Sequence, residues 1–310
     1  MTLAFRPTTF GDIIGQTETV ERLRVTTDGC KNAGVVHPHV LIDGPPGLGK
    51  TTLAGAIAHE LGVDLHITNA ANLRKVKNIL PYLLRMTKRS VLFIDEIHRL
   101  PTLVEEFLYP VMEDFKINIV LEKEPEEIAI PAFTLIGATT SGGSLSQPFY
   151  DRFQIKEHLR FYNTPELVQL AKANTERLGL NLDNEALSEI AKRSKGTPRI
   201  LNARIQWFQM YTASGDNNKL SVDEVFSTQG IDENGLDVYD RIYIQVLQQN
   251  IGNPLGLKAI SSMTGIAIDT IENSIEPYLL RTGMVQRTQK GRILGKHAKN
   301  INCDISGSSH

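Results

Sequence analysis

The chain reads as an α/β protein: a parallel sheet built around a phosphate-binding loop, then a helical lid segment, then a C-terminal winged helix. Three observations predict this. Gly44-Pro45-Pro46-Gly47-Leu48-Gly49-Lys50-Thr51 fits G-x-x-x-x-G-K-[ST] and lies between a short apolar run and a helix-forming run, the context that motif requires. Val91-Leu92-Phe93-Ile94 ends in Asp95-Glu96, the form of a buried strand with acids at its C-terminal edge. After Pro165 helical patterns follow one another, and two short strands come only near the end, around Thr288-Gln289-Lys290-Gly291.

The first element is an arm. Arg6-Pro7-Thr8-Thr9-Phe10 leads through Ile13-Ile14-Gly15-Gln16 into a helix over 17–29. Ile13 and Ile14 either dock that helix on the core or, through Ile14, touch a nucleotide base. The strand at 39–43 and the helix from Thr52 flank the glycine-rich loop. Its backbone N–H groups and the helix N-terminus favour an anion. Lys50 reaches toward the β- and γ-phosphates and the Thr51 hydroxyl suits Mg²⁺. This is a nucleoside triphosphate site.

A strand at 64–68 and a helix at 73–86, interrupted by Pro81, follow. Arg74, Lys75, Lys77, Arg85, Lys88 and Arg89 make this a basic stretch, either a solvated helix face or a DNA-facing surface. In open α/β sheets ligands bind at the carboxyl ends of the strands. Asp95 is placed there to hold Mg²⁺ through water, and Glu96 to polarise the water that attacks the γ-phosphate. His98 is read as a structural residue. A helix at 105–114 precedes strands at 116–121 and 127–130 around Glu122-Lys123-Glu124-Pro125-Glu126, an acidic hairpin tip. That hairpin is either a docking projection for a partner or an edge kept soluble by charge. A buried strand at 133–138 ends in Thr139-Thr140, where a hydroxyl can sense the γ-phosphate, and Arg152 follows in a loop.

Helices at 166–178, 184–194, 198–214 and 222–228 form the lid. Arg199 falls in the first turn of the third, where a cation opposes the helix dipole unless it faces an anion. Helices at 240–249, 257–264 and 269–280 and strands at 284–287 and 292–294 form the winged helix. Between Arg281 and Lys299 there are six Lys or Arg and no carboxylate, the charge pattern of a phosphate-binding wing. The boundaries are 1–160, 161–231 and 232–303, with a flexible tail at 304–310.

Composition sets limits. At 310 residues, two or three domains fit. A net charge of -2 gives no global case for nucleic acid, so any basic surface must be local. Cys30 and Cys303 sit near opposite ends without metal-ligand spacing or a disulfide framework. There is no signal-peptide pattern and no span of about 20 apolar residues. The expected compartment is the reducing cytoplasm.

The order of these motifs resembles the RuvB-type AAA+ motors that drive branch migration of Holliday junctions. The resemblance runs from Arg6-Pro7 and Ile14-Gly15-Gln16 through the phosphate loop and Leu92-Phe93-Ile94-Asp95-Glu96-Ile97-His98-Arg99-Leu100. It continues through Asp151-Arg152-Phe153 and Gly196-Thr197-Pro198-Arg199-Ile200 to Glu276-Pro277-Tyr278-Leu279 and Gln286-Arg287-Thr288 with Gly291-Arg292. The last two segments single out this family among AAA+ proteins. The resemblance implies an ATP-fuelled homo-hexameric ring on double-stranded or four-way junction DNA. Gly44, Gly47, Leu48, Gly49, Lys50, Thr51 and Thr52 would hold the phosphates, with Mg²⁺ on Thr51 and Asp95. Thr140 would be the γ-phosphate sensor, Arg152 the arginine finger acting on the neighbouring subunit, and Arg199, next to Pro198, the sensor arginine of its own subunit. Arg6, Ile14 and Tyr162 would pack around adenine, and Arg287, Thr288, Lys290, Gly291 and Arg292 would meet DNA. A RuvA-like junction-binding protein would dock on the hairpin that begins at Ile117 and ends at Ile130.

The chain departs from the family at Ser141 and Tyr150, where arginines are usual, which leaves Arg152 as the finger. The hairpin is also shorter and its tip acidic, and the 74–89 segment is basic where the family is more acidic. Two rivals share part of the pattern. A clamp-loader-like ATPase would carry a helical collar in place of the winged helix. An ATP-switched DNA-binding regulator would need neither Glu96 nor Arg152.

Overall fold

The computed structural model describes residues 6–121, 124–140, 142–214 and 221–298. The hairpin-tip residues Glu122 and Lys123, Ser141, Lys299, Cys303 and the expected tail lie outside them. The chain divides into two compact units, Met1–Phe161 and Tyr162–His310.

In the first unit a 3-10 turn, Phe10–Asp12, precedes helix α1 (Thr17–Ala33). Five strands, β1 (Val40–Asp43), β2 (Leu65–Asn69), β3 (Val91–Asp95), β6 (Thr134–Thr139) and β7 (Ile155–His158), form one parallel sheet in the order β2-β3-β6-β1-β7. Strands β1, β3 and β6 are buried along nearly their whole length, which is why their sequences are continuous apolar runs without alternation. Helix α2 (Lys50–Leu61) buries Leu53, Ala54, Ala56, Ile57 and Ala58. Glu157 on β7 is buried and ties that strand to α1 through Thr19 Oγ1 (2.9 Å) and Arg22 Nε (2.9 Å).

The helix expected at 73–86 is shorter, α3 (Val76–Leu83). Its start is fixed by Asn78, whose side chain accepts from the Lys75 N–H at 3.0 Å. Leu73 belongs to a tight turn after Ala70–Asn72, started by Asn69 accepting from the Ala71 N–H at 2.8 Å. Helix α4 (Thr102–Glu113) leads through Phe115, whose φ is 55°, into an antiparallel pair, β4 (Lys116–Leu121) and β5 (Glu124–Ala129). The second strand therefore starts three residues earlier than the sequence suggests. Pro125 is tolerated because this pair is a two-stranded edge. Helix α5 (Gln147–Asp151) precedes β7.

The second unit opens with helices α6 (Thr164–Arg177), α7 (Asn184–Lys192), α8 (Pro198–Ala213) and α9 (Val222–Ser227). Capping boxes at Asn163/Glu166 and Ser221/Glu224 start the first and last of them. Then come α10 (Val238–Gln249), α11 (Leu257–Thr264), α12 (Ile268–Thr270), α13 (Glu276–Arg281) and the hairpin β8 (Val285–Thr288) and β9 (Gly291–Leu294). Helix α10 begins two residues before the expected position because Asp237 caps it, accepting from the N–H groups of Tyr239 (2.9 Å) and Asp240 (3.1 Å). The single helix expected at 269–280 is interrupted by a π-helical turn at Ile271–Ile275. Pro277 has no N–H to return to the carbonyl of Asn273, and the wider turn absorbs that missing bond.

The helical segment and the winged helix share one compact unit. Lys195, buried with φ 50°, donates to Asp237 Oδ2 at 3.0 Å and to the fully buried Asp240. Burial pushes the Asp240 carboxyl up to about 6 even with the Lys195 ammonium beside it. Next to it, Gly196 accepts from the Tyr162 N–H at 3.0 Å and has φ 73°.

Candidate nucleotide site and DNA-facing wing

The phosphate loop forms at the C-terminal end of β1. Gly44, Gly47 and Gly49 have φ of 147°, 83° and 104°, conformations that only glycine adopts cheaply. At Gly44 a β-carbon would also stand 2.7 Å from the Leu159 carbonyl oxygen, so the loop's close approach to the backbone after β7 excludes any side chain there. Leu48 is buried under the loop. The buried Lys50 ammonium donates to the Gly44 (2.6 Å) and Pro45 (3.1 Å) carbonyls and is held over the loop. Thr51 and Thr52 follow in the first turn of α2, half-buried.

Two strands away, β3 brings Asp95 and Glu96 to the same carboxyl edge. Asp95 Oδ1 accepts from the Glu96 N–H at 3.0 Å. Glu96 has φ 50°, an uncommon conformation for a glutamate, and the strand ends in this kink. Its carboxylate accepts from Thr140 Oγ1 at 3.2 Å and lies 3.4 Å from His98 Nδ1. The His98 ring also bonds Thr139 Oγ1 at 2.9 Å. Burial pushes the His98 imidazole below its usual range, against the opposing pull of Glu96, so the ring is neutral near pH 7. The structure thus joins Glu96 to Thr140 and sets the His98 ring between Glu96 and Thr139.

The arm is fixed by residues besides Ile13 and Ile14. Phe10 is buried, and Gln16, with φ 52°, donates to the Arg160 carbonyl at 2.6 Å and accepts from the Arg160 N–H. Ile13 and Ile14 stay half-buried and Arg6 exposed. Phe10 and Gln16 thus anchor the arm alongside the half-buried Ile13 and Ile14.

Arg152 sits at the other end of the sheet. It precedes β7, whose first residue Ile155 pairs in parallel register with Val40, the first of β1. The phosphate loop begins after the last residue of β1, four residues on. At about 3.3 Å per residue that is roughly 13 Å, beyond the reach of an arginine side chain. Arg152 instead stacks over the Tyr109 ring (4.1 Å to its centroid), pairs with Glu113 Oε1 (3.1 Å) and donates to the Pro148 carbonyl (2.7 Å). It cannot serve its own phosphate loop.

In the second unit Pro198 and Arg199 open α8, with Arg199 exposed and Tyr162 buried. The wing differs from the sequence expectation of free basic groups. Glu276, fully buried, accepts from Arg287 Nε at 2.9 Å, Arg292 Nε at 2.8 Å and Tyr243 Oη at 2.8 Å. Burial alone would raise its carboxyl, but these donors outweigh burial and hold it below the usual carboxylate range. The absence of acids in the 281–299 sequence is thus answered from α13. Arg287 remains half-exposed, Arg292 is mostly covered, and Thr288 and Lys290 are exposed beside Gly291 at the turn. Glu276→Ala would leave two guanidinium groups without their acid. The expected loss is about 3–5 kcal/mol, read as hydrogen exchange about 10²–10⁴ faster at the Tyr243 and Leu279 amides.

Comparison with known proteins agrees with this arrangement. Three family models match consecutive stretches: the Holliday junction DNA helicase RuvB P-loop domain at 5–159, the RuvB AAA lid domain at 162–232 and the RuvB C-terminal winged helix domain at 233–301. The Holliday junction branch migration complex subunit RuvB of Rhodopirellula baltica is 42% identical, with 94% of this chain and 82% of that protein aligned. The protein of the same name from Myxococcus xanthus is 40% identical, with 94% and 87% aligned. The solved Thermotoga maritima RuvB Holliday junction branch migration motor superposes with a TM-score of 0.86 at 37% identity, covering 95% of this chain and 97% of that one. With all three parts matched in order, the chain belongs to the RuvB family of AAA+ P-loop ATPases.

Proposed function

We propose that this protein is an ATP-driven double-stranded DNA translocase that promotes branch migration of Holliday junctions, working as a cytoplasmic homo-hexameric ring. The observation that carries this reading is the separation of Arg152 from its own phosphate loop. A site whose transition-state arginine lies at the opposite edge of the sheet is complete only between neighbouring subunits, as in a ring. Arg199 supplies the cation of its own subunit. Arg6, Ile14 and Tyr162 cover the adenine, and Lys290 with Arg287 meets DNA phosphates without reading bases.

The donor set at the carboxyl edge fits Mg²⁺. Thr51 and Asp95 supply hard oxygen ligands, and among the described residues there is no cluster of three acids, histidines or cysteines to form an all-protein cage. A magnesium ion held by Thr51 and Asp95 would neutralise phosphate charge when bound. The protein's own steps are to position Lys50 on the phosphates, take a proton from the attacking water at Glu96 and hold Glu96 in place through Thr140. The β4–β5 hairpin is the docking element for a RuvA-like junction-binding protein. Among the described residues no helix is long and apolar enough to cross a membrane.

The test is the ATPase rate with and without a four-way junction, alongside ATP-dependent conversion of that junction into duplex arms. Stimulation with conversion supports the motor acting alone. Stimulation without conversion, reversed by adding a junction-binding partner, supports the same motor with a required partner. A turnover rate indifferent to DNA overturns it in favour of a switch or a loader.

A further inference from the structure

From Leu65 to Ile94 the chain contains six Lys or Arg and not one carboxylate, on a chain whose net charge is -2. The wing shows that such a sequence gap can be filled by folding, since Glu276 comes from another helix to meet Arg287 and Arg292. Here folding does not fill it. Arg74, Lys75, Lys77, Arg85 and Lys88 are exposed and Arg89 is half-buried. Among the described residues none of the six forms an ion pair. Asp64 is drawn to this surface, but it accepts from the Thr87 hydroxyl (3.5 Å).

The placement of these charges sharpens the point. Helix α3 buries Ile79 and Leu83 in the core, which turns Lys77 outward. Arg74 and Lys75 precede the first turn and Lys77 lies in it. All three are at the positive end of the helix dipole, where cations are unfavourable and anions favourable. Arg85, Lys88 and Arg89 continue the surface past the other end, about 12 Å away along the helix. An array of repelling cations, set against a helix dipole and left without acids, is stabilised by an external polyanion with closely spaced charges.

We infer that the α3 surface of the first unit is a second duplex-DNA contact, gripping the phosphate backbone independently of the winged helix. This rests on the proposed DNA-translocating function and names a further part of its DNA interface. It also fits the wing, where part of the basic charge is spent on Glu276.

The experiment measures the salt dependence of duplex affinity for the full chain and three variants. These are the first-turn set Arg74→Gln, Lys75→Gln and Lys77→Gln; the second set Arg85→Gln and Lys88→Gln; and the wing variant Lys290→Gln. Each cation that meets a phosphate contributes about 0.9 to the slope of log K against log salt. The first-turn set should therefore lower the slope by about 2–3 and the second by about 1–2, with thermal midpoints at the parental value. Lys75→Arg should keep the parental slope. If both sets keep the parental slope while Lys290→Gln lowers it, DNA is held by the wing alone and the inference fails while the proposed function stands. If the parent itself binds no duplex and no junction, both fail.

Discussion

Arg152→Ala is expected to bind nucleotide as the parent does and to turn over about 10³–10⁵-fold more slowly, the range for loss of an arginine finger. The expectation follows from where the residue sits. Arg152 precedes the first residue of β7, at the end of the sheet opposite the phosphate loop, so its removal leaves the nucleotide contacts of its own chain untouched. What it loses is charge stabilisation on the neighbouring subunit's γ-phosphoryl. Mixing provides the direct check. Rings assembled from Arg152→Ala and Lys50→Ala chains should regain activity wherever an intact loop meets an intact arginine. Activity that only dilutes in proportion to the added inactive chain would place the arginine outside any shared site. Glu113 and Tyr109, which hold the guanidinium now, must release it or carry it toward the neighbour.

The second large effect is on the attacking water. Glu96→Gln should leave ATP affinity within about twofold and reduce turnover by about 10²–10⁴, the usual weight of a general base. The amide still accepts from Thr140 and so preserves the geometry, but it cannot take a proton. His98 offers no substitute, because the strand end holds its ring against Thr139 and Glu96 instead of a phosphate. The comparison is the rate of single-turnover hydrolysis with enzyme in excess of ATP. A variant that hydrolyses at the parental rate would remove Glu96 from the base role.

The elements that carry nucleotide chemistry are legible in the sequence because their signals are local. A glycine-rich loop, an apolar run ending in two acids and a Thr-Thr pair each announce themselves within a few residues. What is not legible depends on partners far along the chain. Gln16 anchors the arm through Arg160, 144 residues away, a contact no local pattern announces. Arg287 and Arg292 read as free phosphate binders because Glu276 lies on a preceding helix and reaches them only after folding. The location of Arg152 requires the parallel register of β1 and β7, which no motif states. Helix ends shift by a turn or less where a side chain such as Asp237 or Asn78 caps from outside the apolar pattern. Asp237 itself is a favoured N-cap residue type, so this start is signalled locally by the cap and not by the apolar pattern.

In the proposed translocase, the pairing of Lys195 with Asp237 and Asp240 would link the helical segment to the winged helix. The turn that leads into α8 and the helix that begins the winged domain are joined by Lys195, which bridges the buried Asp240 and the partly exposed Asp237. In that case a rotation of the turn would carry the winged helix with it. The linear stroke at the wing tip grows with its distance from the joint. Stroke length in such a lever is set by geometry, and the cost of slipping is set by the energy needed to separate a buried lysine from two carboxylates.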